Sequence, residues 1–156
     1  NQNGFTLIET MVAISIITIG LMSTLSLVIT STALVTSIQD RLIGANLASE
    51  GLEIARNIRD NNWLQSQAWN NGLTDGDYQV AYNSTALSAY GDVFLRLDAA
   101  TSVYDYAPAS SQTIFKRRIM VTNLSVYEMR VVSTVTWQRR NATYMSSAEE
   151  HLFDWK

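Results

Sequence analysis

Two hydrophobic patterns follow one another along the chain, and the first predicts a long helix. Residues 11–29 read MVAISIITIGLMSTLSLVI, an apolar run that has no polar stripe. At a rise of ~1.5 Å per residue, about 20 such residues span the ~30 Å hydrocarbon core of a bilayer. The run is therefore typical of a membrane-spanning helix. Its serines and threonines can bond back to the carbonyl four residues earlier.

The alternatives for this run are a buried core helix and a secretory signal peptide. A stretch of 18 or more uncharged, mostly apolar residues favours a membrane span over a core helix. A signal peptide has a basic segment before its apolar region, and no Lys or Arg precedes this one. The helical pattern also continues past the run without a break, which argues against a cleavage site.

Farther along, the apolar positions recur every three or four residues, which predicts that the helix continues as an amphipathic half. These positions are Val35, Ile38, Leu42, Ala45, Ala48, Leu52, Ala55 and Ile58. We interpret them as the face that packs under the following domain, and we expect helix from about Phe5 to Asn61. Gly44 and Gly51 are flaws that the helix tolerates, or places where another helix approaches closely.

The periodicity then changes from 3.6 to 2, which predicts strands after a loop at residues 61–77. The expected strands lie at residues 78–82, 93–97, 113–123, 126–138 and 143–153, with a turn at 139–142. In the clearest strand one face carries Tyr127, Met129, Val131, Val135 and Trp137. Ser133 interrupts that face. The predicted fold class is α+β: a long N-terminal helix packed on an antiparallel sheet of three to five strands.

Charge is distributed unevenly along the 156 residues, although the net charge is only −3. Residues 1–39 carry one formal charge, Glu9, and every other charged side chain lies in residues 40–156. This pattern excludes a uniformly soluble globule and a disordered acidic chain. The net charge also argues against a basic nucleic-acid binder. It indicates a water-insoluble N-terminal segment joined to an ordinary soluble domain.

The chain offers little of the chemistry that enzymes and metal sites need. It has no cysteine and one histidine, His151, which leaves no thiolate ligand, no Cys nucleophile and no histidine cage. Since no nucleophile motif accompanies the single histidine, we predict no enzymatic activity and no cofactor. We interpret His151 as a surface residue of a strand.

Glu9 stands one residue before an uncharged stretch of 30 residues, where a carboxylate is costly. The cost in hydrocarbon is roughly 2.5–3.5 kcal/mol on insertion scales. No cation lies nearby in the sequence, so its partner must come from elsewhere. Cleavage between Gly4 and Phe5 would create such a partner, an α-amino group with a pKa of ~7.7–8. Its pairing with the carboxylate of a neighbouring copy would cancel two costly charges.

The segment from Gly4 to Glu9, GFTLIE, followed by the apolar run, resembles the prepilin cleavage and N-methylation motif of type IV pilins and type II secretion pseudopilins. The resemblance implies that a prepilin peptidase cuts after Gly4 and methylates the new terminus at Phe5. It also implies that Glu9 neutralises the Phe5 amine of an adjacent subunit. The four-residue leader lacks the usual Lys or Arg, so we expect the translation start to lie upstream. Ser26 stands near the position where many pilins have a helix-breaking proline.

The resemblance implies a domain plan and a structural role. The plan is a leader remnant at 1–4, a transmembrane or filament-core helix at 5–33, an amphipathic helix at 34–61 and a soluble β-rich domain at 62–156. The implied role is a subunit of a type IV pilus or related filament. The implied partners are other pilin copies, prepilin peptidase, an inner-membrane assembly platform and, before assembly, the bilayer.

The implied location is a single-pass membrane protein with an extracytoplasmic C-terminal domain, and later an extracellular pilus or a periplasmic pseudopilus. A minor pilin or pseudopilin is the alternative within this class. A monomeric, membrane-tethered binding module is the alternative from another class.

Two further clusters are weaker candidates for binding sites. Asp75 and Asp77 lie among Asn and Gly residues and are candidate calcium ligands, but their spacing does not match an EF-hand and suits ordinary turns. The basic runs at 116–118 and 139–140 could contact DNA phosphates. Alternate strand residues face opposite ways, so we interpret both runs as solvated strand surface and do not expect DNA binding.

Overall fold

A single helix forms the first third of the chain in the computed structural model, which describes Gly4 and residues 6–155. Helix α1 extends over Leu7–Leu64 without interruption. The chain separates into two compact units, residues 1–40 and 41–156, and the boundary lies within this helix. The predicted long helix is confirmed, and it ends three residues beyond the expected position.

The end of α1 is closed by a C-terminal capping motif that uses serine. The N–H of Ser66 donates to the carbonyl of Trp63 at 3.1 Å, and the N–H of Gln67 donates to that of Asn62 at 2.8 Å. Ser66 has a positive φ of 57°, the left-handed conformation in which this motif usually places glycine. The Asn62 amide also donates to the carbonyls of Trp69 and Asn71, which fixes the following turn to the helix.

The remaining chain forms eight strands in two antiparallel sheets. Their bounds are β1 Gly76–Gln79, β2 Ser88–Ala89, β3 Arg96–Leu97, β4 Tyr104–Asp105, β5 Ser111–Gln112, β6 Phe115–Asn123, β7 Glu128–Arg139 and β8 Ala142–Phe153. The larger sheet has the order β2-β1-β6-β7-β8, and the smaller one has the order β4-β3-β5. The predicted α+β class and antiparallel sheet are confirmed, and the last strand lies at an edge.

Alternation along β6 and β7 produces the apolar face of the large sheet. Every second residue of both strands is buried, and the two strands pair in continuous register from Phe115 opposite Trp137 to Asn123 opposite Met129. Strands β7 and β8 are joined by a two-residue turn in which Arg140 and Asn141 both have positive φ. This is the turn geometry that matches the twist of a hairpin, so the predicted turn is confirmed.

The face of the helix that packs on this sheet overlaps the predicted face only in part. Buried positions on α1 include Gly44, Leu47, Ala48, Gly51, Ile54, Ala55 and Ile58. The prediction is therefore confirmed for Ala48, Ala55 and Ile58. It is wrong for four exposed residues, Val35, Ile38, Leu42 and Ala45. The glycines that face the sheet carry no hydrophobic signal, so the sequence pattern does not include them.

Gly44 and Gly51 mark the closest approach of helix and sheet. A Cβ atom at Gly44 would lie 2.7 Å from the Trp137 ring, and one at Gly51 would lie 2.4 Å from Ser133 Oγ. Within the chain, the element that approaches both glycines is thus a β-strand, whereas the sequence left open tolerated flaws or the approach of another helix. The small Ser133 interrupts the apolar face of β7 because the helix backbone occupies the space above it.

Some expected strands are shorter than predicted. Of residues 78–82 only the first two belong to β1, and of residues 93–97 only the last two are strand. Tyr127 precedes β7 and is 66 % exposed, so its assignment to the buried face is wrong. The periodicity marks buried positions such as Val80 and Leu95 correctly, but these residues lie one position outside β1 and β3.

Arg117 lies on the buried face of β6, and the interpretation of residues 116–118 as solvated surface is wrong for this residue. Its guanidinium donates to the Leu47 carbonyl and the Glu50 carboxylate, both at 3.1 Å, and to the Val80 carbonyl. A charged group is buried only where hydrogen bonds replace water. These partners supply that replacement for the two terminal nitrogens, whereas Nε has no hydrogen-bond partner among the described residues. Arg117 therefore ties the helix to β6 and to the segment after β1.

Candidate functional site at the start of the helix

The first turn of α1 is set by a side-chain cap. Thr6 precedes the first helical residue, and its hydroxyl accepts a hydrogen bond from the Glu9 N–H at 3.3 Å. The Thr10 N–H donates to the Thr6 carbonyl at 3.2 Å, which is the first helical bond. The spacing Thr-x-x-Glu is typical of a capping box. The predictions from the sequence do not include this capping role of Thr6, although the Thr-x-x-Glu spacing indicates it.

Glu9 lies in this first turn with its side chain exposed. Anionic side chains are favoured at a helix N-terminus because the unpaired N–H groups there carry partial positive charge. Glu9 forms no ion pair with any of the described residues. The carboxylate is thus held at a defined place on the helix while remaining open to a partner from outside the chain.

Of the two expected processing residues, the structure describes Gly4, which lies shortly before the cap. Gly4 is exposed and precedes the helix, so its backbone is not enclosed by the fold. Phe5, the expected methylation site, lies outside the described residues. The positions that the sequence singles out therefore stand together at one exposed end of α1, apart from Phe5, whose place the structure does not describe.

The large side chains in the apolar half of α1 are not covered by any of the described residues. Its large hydrophobic side chains are more than half exposed, from Leu7 at 78 % to Ile38 at 65 %. An 18-residue window of this helix has a mean hydropathy of 2.3, which is long and apolar enough to cross a membrane. Such an exposed apolar helix requires lipid or other helices around it.

Several hydroxyl side chains in this half donate hydrogen bonds to backbone carbonyls of the same helix. Ser15 donates to the Met11 carbonyl at 2.8 Å, and Ser23 donates to that of Ile19 at 2.8 Å. Thr24 bonds in the same way to Gly20. These bonds remove the polar penalty of hydroxyls in an apolar setting, and they confirm the expected back-bonding.

The residues that the sequence suggests as weaker calcium candidates form hydrogen bonds and ion pairs within the fold. Asp75 accepts from the backbone N–H and the side-chain amide of Asn123, and these bonds hold the pKa of Asp75 below its ordinary value. Asp77 lies 3.7 Å from Arg118. No group of three or more histidine, aspartate or glutamate side chains that could hold a metal occurs among the described residues. The hydrogen bonds of Asp75 therefore indicate a structural role for this residue.

The exposed basic residues of β6 also have acidic partners. Lys116 Nζ lies 2.8 Å from Asp92, and Arg118 pairs with Asp77. His151 is on the exposed edge strand, as expected for a surface residue, with Nδ1 2.7 Å from the Glu128 carboxylate. This hydrogen bond raises the pKa of His151 above its ordinary value.

Comparison with known proteins identifies the N-terminal site. Residues 1–25 match the family model described as the prokaryotic N-terminal methylation motif. This motif is the prepilin signature of type IV pilins and pseudopilins, so the resemblance of GFTLIE is confirmed. No curated protein and no solved structure matches the chain. The chain thus carries the prepilin signature at the start of a long apolar helix that continues onto an antiparallel sheet.

Proposed function

We propose that this chain is a structural subunit of a type IV pilus or a related filament. The observation that carries the proposal is the methylation motif at residues 1–25 on an apolar helix whose surface is exposed in the single chain. Burial of that helix among the helices of other copies removes its apolar surface from lipid or water. The contacts are heterologous and do not close, which gives an open helical filament.

Before assembly, α1 anchors the chain in the bilayer and the C-terminal unit lies outside the cytoplasm. An assembly platform in the inner membrane then transfers the chain from lipid to the filament. The product is an extracellular pilus or a periplasmic pseudopilus. Both the motif and the uncharged helix support this location, since each suits a membrane-anchored precursor.

Processing by prepilin peptidase is the first testable step. The peptidase cuts after Gly4 and methylates the amine of Phe5. Mass spectrometry of the mature N-terminus, in cells with and without active peptidase, tests this directly. We expect N-methylated Phe5 only where the peptidase is active. An intact leader in cells with active peptidase would contradict the proposal and favour a monomeric tethered module.

Glu9 then provides the charge that sets the register of assembly. We expect Glu9→Gln to insert into the membrane normally but to reduce filament yield at least tenfold, because the amine of Phe5 is left unpaired in an apolar setting. Glu53→Gln, an exposed glutamate farther along the same helix, is the matched control and should assemble normally. Filament yield is measured by shearing and quantitative immunoblotting, and membrane insertion by fractionation.

The role within the filament follows from copy number. A purified filament composed mainly of this chain identifies a major subunit, whereas a trace proportion identifies a minor pilin or a pseudopilin. By resemblance, Glu9 argues against the tip pseudopilin, which characteristically lacks this acid. Quantitative mass spectrometry of sheared filaments gives the proportion.

A further inference from the structure

A polar cleft lies on the outward face of the large sheet, in the C-terminal unit and away from the helix. Its volume is about 490 Å³, within the range of roughly 300–1,000 Å³ that is usual for small-molecule sites. The strand floor contributes Lys116, Thr136 and Gln138, and the wall contributes Asp92, Phe94 and Gln112. Trp137 and Ile114 also line the cleft, which thus combines aromatic and apolar surface with several hydrogen-bonding groups.

The carboxylate in this cleft is fixed in place. Asp92 accepts hydrogen bonds from the Tyr90 hydroxyl and from Lys116 Nζ, both at 2.8 Å. Asp92 also has a positive φ of 51°, a backbone conformation that is costly for a residue other than glycine. The fold therefore holds this side chain in one position, although two-thirds of it remains exposed.

The Phe94 ring and the Lys116 ammonium group lie next to each other in the cleft. Lys116 Nζ lies 4.7 Å from the centre of the Phe94 ring, and 39 % of Phe94 remains accessible. The bond to Lys116 keeps the pKa of Asp92 below its ordinary value, while burial and the bond to Asp92 raise the pKa of Tyr90 to about 12. Asp92 is therefore ionised and paired, and the cleft presents no net charge.

The amide groups of the cleft have unused hydrogen-bonding capacity. The side chains of Gln112 and Gln138 form no hydrogen bond with other residues in the described part of the chain. Each amide offers donors and an acceptor, and the ionised Asp92 has further acceptor capacity. A ligand with several neutral hydroxyl groups and an apolar C–H face matches this set, because hydroxyls both donate and accept and the C–H face packs on an aromatic ring.

We propose that this cleft binds a neutral saccharide, with one hexose or N-acetylhexosamine unit packed on Phe94. Asp92 accepts hydrogen bonds from two hydroxyls or from a hydroxyl and an N-acetyl N–H, and the two glutamine amides orient the ring. The Asp92–Lys116 pair leaves no unbalanced charge, which disfavours anionic and cationic ligands. The site gives the subunit a recognition function that filament assembly does not require.

The test uses the full chain in a phosphocholine detergent, because sugar-based detergents would occupy the site. Saturation-transfer difference NMR is recorded with galactose, glucose and N-acetylglucosamine. We expect at least one of the three to bind in the millimolar range. Asp92→Asn, which tolerates the same backbone conformation, and Phe94→Ala should each weaken that binding about tenfold, since each removes one of the main contacts.

Tyr127→Ala is the matched control, because Tyr127 is an exposed aromatic residue that does not line the cleft. It should bind as the unmodified chain does. Near-ultraviolet circular dichroism of each variant checks that the C-terminal unit is folded. Binding of none of the three sugars, equal binding by folded Asp92→Asn and Phe94→Ala, or tighter binding of the anionic N-acetylneuraminic acid would overturn the proposal. Each of these results leaves the filament proposal intact.

Discussion

Arg117 lies fully buried between the sheet and the helix, where its guanidinium donates to two acceptors on α1 and to one in the segment after β1. Glu50 is about one-third exposed and can regain water if its partner is lost, whereas the Leu47 and Val80 carbonyls are enclosed. The stabilising role of Arg117 therefore rests mainly on the two carbonyls. Leaving buried acceptors unpaired is the larger part of the cost of removing it.

We expect Arg117→Met, which keeps much of the volume, to lower the free energy of unfolding by about 2–3 kcal/mol. Arg118→Met is the control, and it should change the stability by less than ~1 kcal/mol because its ion pair with Asp77 is exposed. Urea unfolding followed by tryptophan fluorescence of the full chain in detergent measures both. Equal stability of the two variants would contradict the role of Arg117.

His151 gives a pH dependence that can be measured without interference, because it is the single histidine of the chain. Its pKa is raised by the hydrogen bond to Glu128, with a smaller contribution from Glu149 at 3.5 Å. Arg130, directly opposite in the strand register, is the nearby cation. A raised pKa in the folded state stabilises the fold below the ordinary value of 6.5 and loses that effect as the pH rises through the folded pKa.

We expect an NMR titration of His151 to have its midpoint above 6.5. In Glu128→Gln the midpoint should fall, because the main hydrogen-bonding anion is lost. Asp98→Asn, which removes a carboxylate that bonds to Thr101 and the Ala100 backbone, is the control and should leave the midpoint unchanged. An unchanged midpoint in Glu128→Gln would show that the cross-strand bond does not form.

Between elements, the contact of α1 with β6 and β7 depends on the absence of a side chain at Gly51. A Cβ atom there would lie 2.4 Å from Ser133 Oγ and 2.6 Å from Ile119 Cδ1, closer than such atoms can approach. Either the helix or the fully buried side chains of Ser133 and Ile119 would have to shift, and the tight contacts around them would loosen.

We expect Gly51→Ala to destabilise the C-terminal unit by about 1–3 kcal/mol through overpacking, despite the better helix propensity of alanine. Gly20→Ala is the matched control, since nothing lies within 4 Å of the added methyl group in the single chain. It should not lower the unfolding temperature of the C-terminal unit in detergent. If both variants behave alike, the close helix–sheet approach is wrong.

The sequence predicts the type and order of the main elements because their patterns are long. The uncharged stretch fixes the helix, and strict alternation over nine and twelve residues identifies β6 and β7. Strands β2 to β5 have two residues each, too few for a period to be read. The sequence does not predict the last residue of α1. Ser66 has the left-handed conformation at the helix end, and that position is usually recognised by a glycine.

The functional and buried polar residues differ in how far the sequence predicts their positions. Gly4 and Glu9 are singled out by the resemblance of a short motif, and Glu9 also by its position as the one charge beside an apolar run. The burial of Arg117 is not predictable, because its partners Leu47 and Glu50 on α1 and Val80 after β1 meet β6 only in the fold. The cleft around Asp92 is missed for the same reason: its wall and its floor lie on strands and loops distant in sequence.

At the scale of the whole molecule, the apolar half of α1 is a surface without a partner in the single chain. Its only charge, Glu9, stands at the very start of the apolar surface. In the proposed filament this placement would bring each carboxylate close to the N-terminus of another copy, so that one charge pair would recur at every subunit. The proposed assembly depends on that recurrence more than on any single packing contact.

The structure of the assembled filament by electron cryo-microscopy, at a resolution that shows side chains, tests this claim most directly. We expect the Glu9 carboxylate to lie within about 4 Å of the Phe5 amine of an adjacent copy, an ion-pair distance. A filament in which Glu9 faces solvent, or lies far from every Phe5 amine, would contradict the account.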